Sequence, residues 1–139
     1  QPVTPTMGSY GVGVSRCLAA IAEATLDDSG LCWPREIAPA DVHVIIAGKD
    51  GSPQVPAAEE LTTSLEAAGL RVLLDDRSKA SLGVKFKDAE LIGVPTIVVV
   101  GRGIADEENP TIEVKDRKSG EREDIALGSI VEHLVALCR

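Results

Sequence analysis

Arg77, Lys85, Phe86, Lys87, Asp88, Glu90 and Arg102 fall within 26 residues of a 139-residue chain and together supply the groups that hold a nucleotide. Cationic side chains meet phosphate oxygens, an aromatic ring stacks on an unpaired base, and a carboxylate accepts hydrogen bonds from base amino groups. From Arg71 to Arg102 there are six basic and four acidic residues, so this stretch carries +2 while the rest of a chain with net charge -8 carries -10. Phe86 has a second use open to it, as the anchor of a helix on a sheet. A separate constellation, Gly11-x-Gly13-x-x-Arg16, lets backbone approach a ligand closely and places an arginine one turn into a helix, where it can fork onto phosphate. It departs from the dinucleotide fingerprint, because Arg16 stands where the third glycine belongs and no βαβ unit follows within range. A glycine-rich surface turn is the plain alternative.

Other chemistries find less support. A serine or cysteine nucleophile needs a histidine within reach, and the two histidines, His43 and His133, fall in a buried-looking strand and on the final helical segment. Cys17, Cys32 and Cys138 are odd in number and lack C-x-x-C spacing, so neither a disulfide framework nor a zinc site is expected, and a reduced cytosolic setting is the default. Asp75-Asp76 reads as a solvated turn, and no metal site is expected. The negative total argues against binding DNA over the whole surface while allowing a local basic face. No apolar run reaches the ~18 residues of a membrane span, and no membrane partner is expected.

These groups need elements to position them. With 44% hydrophobic residues and only Tyr10, Trp33 and Phe86 as aromatics, the core must be built from Val, Leu, Ile and Ala. Val14, Leu18, Ile21 and Ala22 are spaced for an amphipathic helix over 11–26. Residues 27–41 lose periodicity, contain Pro34 and Pro39, and read as a linker pinned by Trp33 and Pro34. Strands are expected at 42–48, 71–76 and 96–101, with helices at 54–69 and 83–93 between them. This alternation implies parallel pairing with right-handed crossovers. Segments 111–116 and 121–127 flank Lys118-Ser119-Gly120 as an antiparallel hairpin, and 126–138 closes the chain as a helix. The expected fold is α/β: a three-layer mixed β-sheet with flanking helices, plus an N-terminal helical stub.

The strings TMGSYGVGVSR, WPREIAPADVHVI, DDR, GVKFKDAELIGVP and VVVG occur in an order that resembles one family over essentially the whole chain. The first resembles the third signature motif of class II aminoacyl-tRNA synthetases as prolyl-tRNA synthetases carry it, and the others resemble that family's anticodon-binding domain. The resemblance implies a C-terminal fragment of a bacterial-type enzyme: residues 1–26 a catalytic remnant, 27–40 a linker and 41–139 the anticodon-binding domain. Gly11, Gly13 and Arg16 would then bind ATP in the parent, which uses ATP and Mg2+ and whose first two motifs lie upstream of Gln1. The fragment itself would contain no catalytic residue, need no cofactor, be monomeric beside a dimeric parent, and bind proline tRNA in the cytoplasm.

Proline anticodons share two guanines, so Asp88 and Glu90 would accept from base donors, Arg77, Lys85, Lys87 or Arg102 would serve acceptors or phosphates, and Phe86 would stack. The family often has a basic residue just after GVP, where this chain has Thr96 and Ile97; Arg102 is the expected substitute. Two rivals remain at this stage. One is an accessory module of the same fold that binds a small molecule or protein instead of tRNA. The other is an independent nucleotide-binding enzyme, which would bind ATP by itself.

Overall fold

The computed structural model describes residues 2–139, so Gln1, the first residue of the expected catalytic remnant, lies outside it. Three parallel strands, β1 (Val42–Ile46), β2 (Val72–Asp75) and β3 (Thr96–Val100), are joined through helices α2 (Gln54–Ala67) and α3 (Leu82–Ile92). Strands β4 (Thr111–Asp116) and β5 (Arg122–Ala126) extend the sheet antiparallel, giving the order β2-β1-β3-β4-β5. Helix α1 (Val14–Thr25) precedes this unit and α4 (Ile130–Cys138) ends it, the latter entered through a 3-10 turn at Leu127–Ser129. This is the expected three-layer mixed sheet with flanking helices.

The layering follows from which side chains each strand turns to each face. β1 and β3 are buried throughout, as parallel strands covered on both sides must be. Val42, Val44, Ile46, Val98 and Val100 meet Ala58, Leu61 and Leu65 of α2 and Ile130 and Leu134 of α4 in the larger core. Ile45, Ile97 and Val99 face the other way and pack under Ala89 and Phe86 of α3. Each fully buried Val, Leu or Ile contributes about 1.5–3 kcal/mol relative to exposure, so the two faces hold α2 and α4 on one side and α3 on the other.

The helix ends match their sequence signals. Ser81 caps α3 by accepting a hydrogen bond from the Val84 N–H, and Gly93 closes it in the left-handed region at φ 77°. Asp116 organises the hairpin turn, its Oδ1 accepting from the N–H groups of Lys118 and Ser119.

Two elements differ from the simplest reading. The apolar stripe of α1 is largely uncovered, with Val14 82% and Leu18 48% exposed. The 27–41 segment is docked along its length, for Arg35 donates to the Asp41 carbonyl, Thr96 Oγ1 and Cys138 Sγ, and the Trp33 N–H donates to the Gly93 carbonyl. None of the described helices is long and apolar enough to cross a membrane.

Candidate nucleic-acid interface

Helical periodicity decides where the residues of α3 can act. Lys85 and Ala89, four apart, form the buried inner line of the helix. Phe86 and Glu90 are one position later and share one flank; Asp88 and Ile92, three residues past the inner line, share the other. Lys87 is exposed. The cluster that looks continuous in sequence is therefore divided between two sides of one helix.

The flank toward β2 is a self-neutralised network. Arg77 Nη2 lies 2.7 Å from Asp75 Oδ2 and 2.8 Å from Asp88 Oδ2. Arg77 holds the Asp75 carboxyl below the ordinary carboxylate range against the opposing effect of burial, and both carboxylates push the guanidinium upward. A cleft of about 490 Å³ lies here, lined by His43, Leu73, Asp75, Arg77, Asp88 and Leu91 among others. His43 at its base is 2% exposed with Nδ1 unpaired, and burial lowers its pKa, which favours the neutral imidazole.

Beneath the helix, Lys85 is 2% exposed. Its Nζ donates to the carbonyls of Ile46 at 3.0 Å and Asp75 at 3.2 Å and stands 3.8 Å from Asp75 Oδ1. The expectation that Lys85 meets RNA is corrected by this burial: its ammonium ties the carboxyl ends of β1 and β2 to α3. The small Ala89 one turn later leaves the stem room to run inward.

The flank toward β4 opens on a broad face. Glu90 Oε1 lies 2.9 Å from Lys115 Nζ, the two side chains being 31% and 11% exposed. Directly opposed residues in an antiparallel pair point to the same face. Ile97 pairs with Lys115 and Lys115 with Arg122, while Val99 pairs with Glu113 and Glu113 with Asp124. Lys115, Glu113, Arg122 and Asp124 therefore line the face on which half-buried Phe86 rests. α2 and α4 cover the opposite face, and the buried cluster on this one is made with α3. Arg122 is 55% exposed and 3.4 Å from Glu113.

Arg102, expected to replace a basic group after GVP, is exposed and starts a 3-10 turn beyond Val100, at the end of β3 opposite to the Ile97–Lys115 pair. The positions after GVP are themselves sealed, Thr96 at 1% and Ile97 at 0% exposure. Lys115, the cross-strand neighbour of Ile97, brings a cation to that place instead. Sequence reasoning missed Lys115, Glu113 and Arg122; the period-2 alternation of TIEVKD and REDIA across the hairpin was the available signal.

Gly11, Gly13 and Arg16 are exposed at the start of α1. Gly13 is its N-cap at φ -85°, and a Cβ added at Gly11 would meet nothing within 4 Å, so this chain's own packing does not require glycine at either position. Among the described residues no group of three His, Cys, Asp or Glu is arranged to hold a metal ion.

Residues 41–137 match the family model described as "Anticodon binding domain". The chain is 58% identical over 137 residues to the proline–tRNA ligase of Nocardioides sp., and 58% identical over 137 residues to that of Acidothermus cellulolyticus. Each alignment covers 99% of this chain and 23% of the relative, so the chain spans about a quarter of the length of the curated proteins it matches. Its fold is similar to the prolyl-tRNA synthetase of Cryptosporidium parvum complexed with L-proline and AMP, with TM-score 0.78 and 27% identity over 89% of this chain and 26% of that one.

Proposed function

Because this chain belongs to the anticodon binding domain family, we propose that it reads the anticodon of proline tRNA for a proline–tRNA ligase, on the open face beside α3. The observation that carries this reading is the Glu90–Lys115 pair next to the half-buried ring of Phe86. The pairing edge of guanine presents N1–H and N2–H donors beside the O6 acceptor. A carboxylate and an ammonium side by side match that edge, and the exposed part of the Phe86 ring offers a stacking surface. Arg122, one strand further along the same face, is placed to meet backbone phosphate.

In this reading residues 1–26 end the catalytic domain, 27–40 lead from it, and the domain proper begins at 41. Gly11, Gly13 and Arg16 then contribute to the site where the parent enzyme binds ATP with Mg2+, and proline activation depends on residues outside this chain. In the same reading the chain by itself is a monomer, and the parent is a cytoplasmic homodimer.

A gel-shift comparison of proline tRNA with a version lacking both anticodon guanines tests the proposal. Replacing the guanines should weaken binding by at least tenfold, in line with roughly 1–3 kcal/mol for each well-made base contact. With Lys115 and Arg122 as the cations on this face, log K should fall with log salt at a slope no steeper than about -1.4, since single strands give about -0.7 per neutralised phosphate. Equal affinity for both RNAs would overturn the proposal and favour the accessory-module alternative.

A further inference from the structure

The segment before the family-matched residues is fastened to the last turn of α3, where Glu90 sits. Arg117 follows Lys115 by two residues and its side chain is 4% exposed. Its Nη1 and Nη2 donate to the two carboxylate oxygens of Asp27 at 2.8 and 2.9 Å, and its Nε donates to the Glu90 carbonyl at 3.1 Å. Asp27 Oδ1 also accepts from the N–H groups of Ser29 and Gly30, which locks the 27–30 turn around the same carboxylate.

From there the chain runs along the helix end. The N–H groups of Leu31 and Trp33 donate to the carbonyls of Leu91 and Gly93, taking up acceptors that a helix terminus leaves free. Contact is close enough to demand glycine on both sides. A Cβ at Gly30, whose φ is 144°, would lie 2.6 Å from Leu91 Cα and 2.8 Å from the Glu90 carbonyl oxygen, and a Cβ at Gly93 would collide with the Leu31 carbonyl.

One guanidinium thus holds the Asp27 turn and the backbone of Glu90 while rooted one residue past the strand that carries Lys115. The distance between the Glu90 carboxylate and the Lys115 ammonium depends on how far the last turn of α3 stands from β4, and Arg117 spans that gap. We propose that Asp27 and Arg117 are positioning residues for the guanine reader, setting the spacing of Glu90 from Lys115, so that Asp27–Trp33 is a working part of the site. The inference rests on the anticodon reading given above and extends it to residues that precede the matched domain.

The test uses the full chain and two anticodon stem-loop RNAs, one with the proline guanines and one with both replaced. Asp27→Asn removes the charge from a side chain that is 44% exposed, and Gly30→Ala displaces the same turn while keeping both charged groups of the ion pair in the chain. Affinities for both RNAs are measured by fluorescence anisotropy, and thermal melting reports the folded fraction. Both variants should bind the guanine RNA more weakly, so that its advantage drops from tenfold or more to less than threefold. A tie that only holds the fold together would lower the melting temperature and leave the ratio of the two affinities unchanged, and that result in either folded variant overturns the proposal. If the unaltered chain does not prefer the guanine RNA, the anticodon reading itself fails and the positioning role fails with it.

Discussion

Glu90→Gln is expected to weaken binding of the guanine-bearing anticodon by about 30-fold, with little change for an RNA whose guanines have been replaced. The carboxylate offers two acceptor oxygens, which N1–H and N2–H of a guanine can occupy together. The amide keeps one acceptor and turns an N–H group toward a base donor. The loss should therefore approach about 2 kcal/mol, within the range for a bidentate base contact. The substitution also removes the negative charge 2.9 Å from Lys115, whose side chain is only 11% exposed, and the one amide oxygen that remains cannot both hold the ammonium and meet the base donors as the carboxylate does. Anisotropy titrations of the two stem-loop RNAs measure both effects. Unchanged affinity for the guanine RNA would remove Glu90 as the reader.

Lys85→Met should destabilise the fold by about 3 kcal/mol while leaving the salt dependence of RNA binding unaltered. The methionine fills a similar volume, so packing beside Ala89 survives. What disappears is an ammonium that donates to the Ile46 and Asp75 carbonyls in a site 2% exposed to solvent. Hydrogen bonds to charged groups contribute about 1.5–3 kcal/mol, and two buried carbonyls would be left without that partner. Urea unfolding measures the loss. The composition of the 71–102 stretch suggests the contrary outcome, a stable variant whose log K against log salt is shallower by about 0.7 because one phosphate contact is gone. The two expectations are opposite in both observables, so one pair of experiments separates them.

That contrast marks how far the sequence could be read. The strands were legible because VHVII and TIVVV are largely β-branched runs of strand length, and α3 was legible as the segment 83–93 between two strands, within one residue of Leu82–Ile92 at each end. The chemistry of the 85–90 stretch was legible as residue types but not as a place. Charge counting gathers Arg77, Lys85, Lys87 and Asp88 around Phe86, whereas the phase of the helix sends Lys85 inward and Asp88 toward β2.

The face carrying Lys115 was less visible still. Its direction depends on hairpin register, which is set by the Asp116 turn and by pairing with β3. The fork between Arg117 and Asp27 joins residues 90 positions apart, and no local pattern signals it. For α1 the amphipathic spacing correctly indicated a helix, but spacing does not say whether the stripe is covered, and in this chain Val14 and Leu18 stand exposed.

The location of the reading face is tested most directly by titrating the isotopically labelled chain with the proline anticodon stem-loop and following amide and side-chain NMR signals. Saturable shifts are predicted at Phe86, Glu90, Lys115 and Arg122. Glu123 and His133, which pair at 2.9 Å on the opposite side of the sheet, should stay in place. Shifts confined to His43, Arg77 and Asp88 around the β2 cleft, or to Arg102 beyond the end of β3, would contradict a guanine reader built on Glu90 and Lys115.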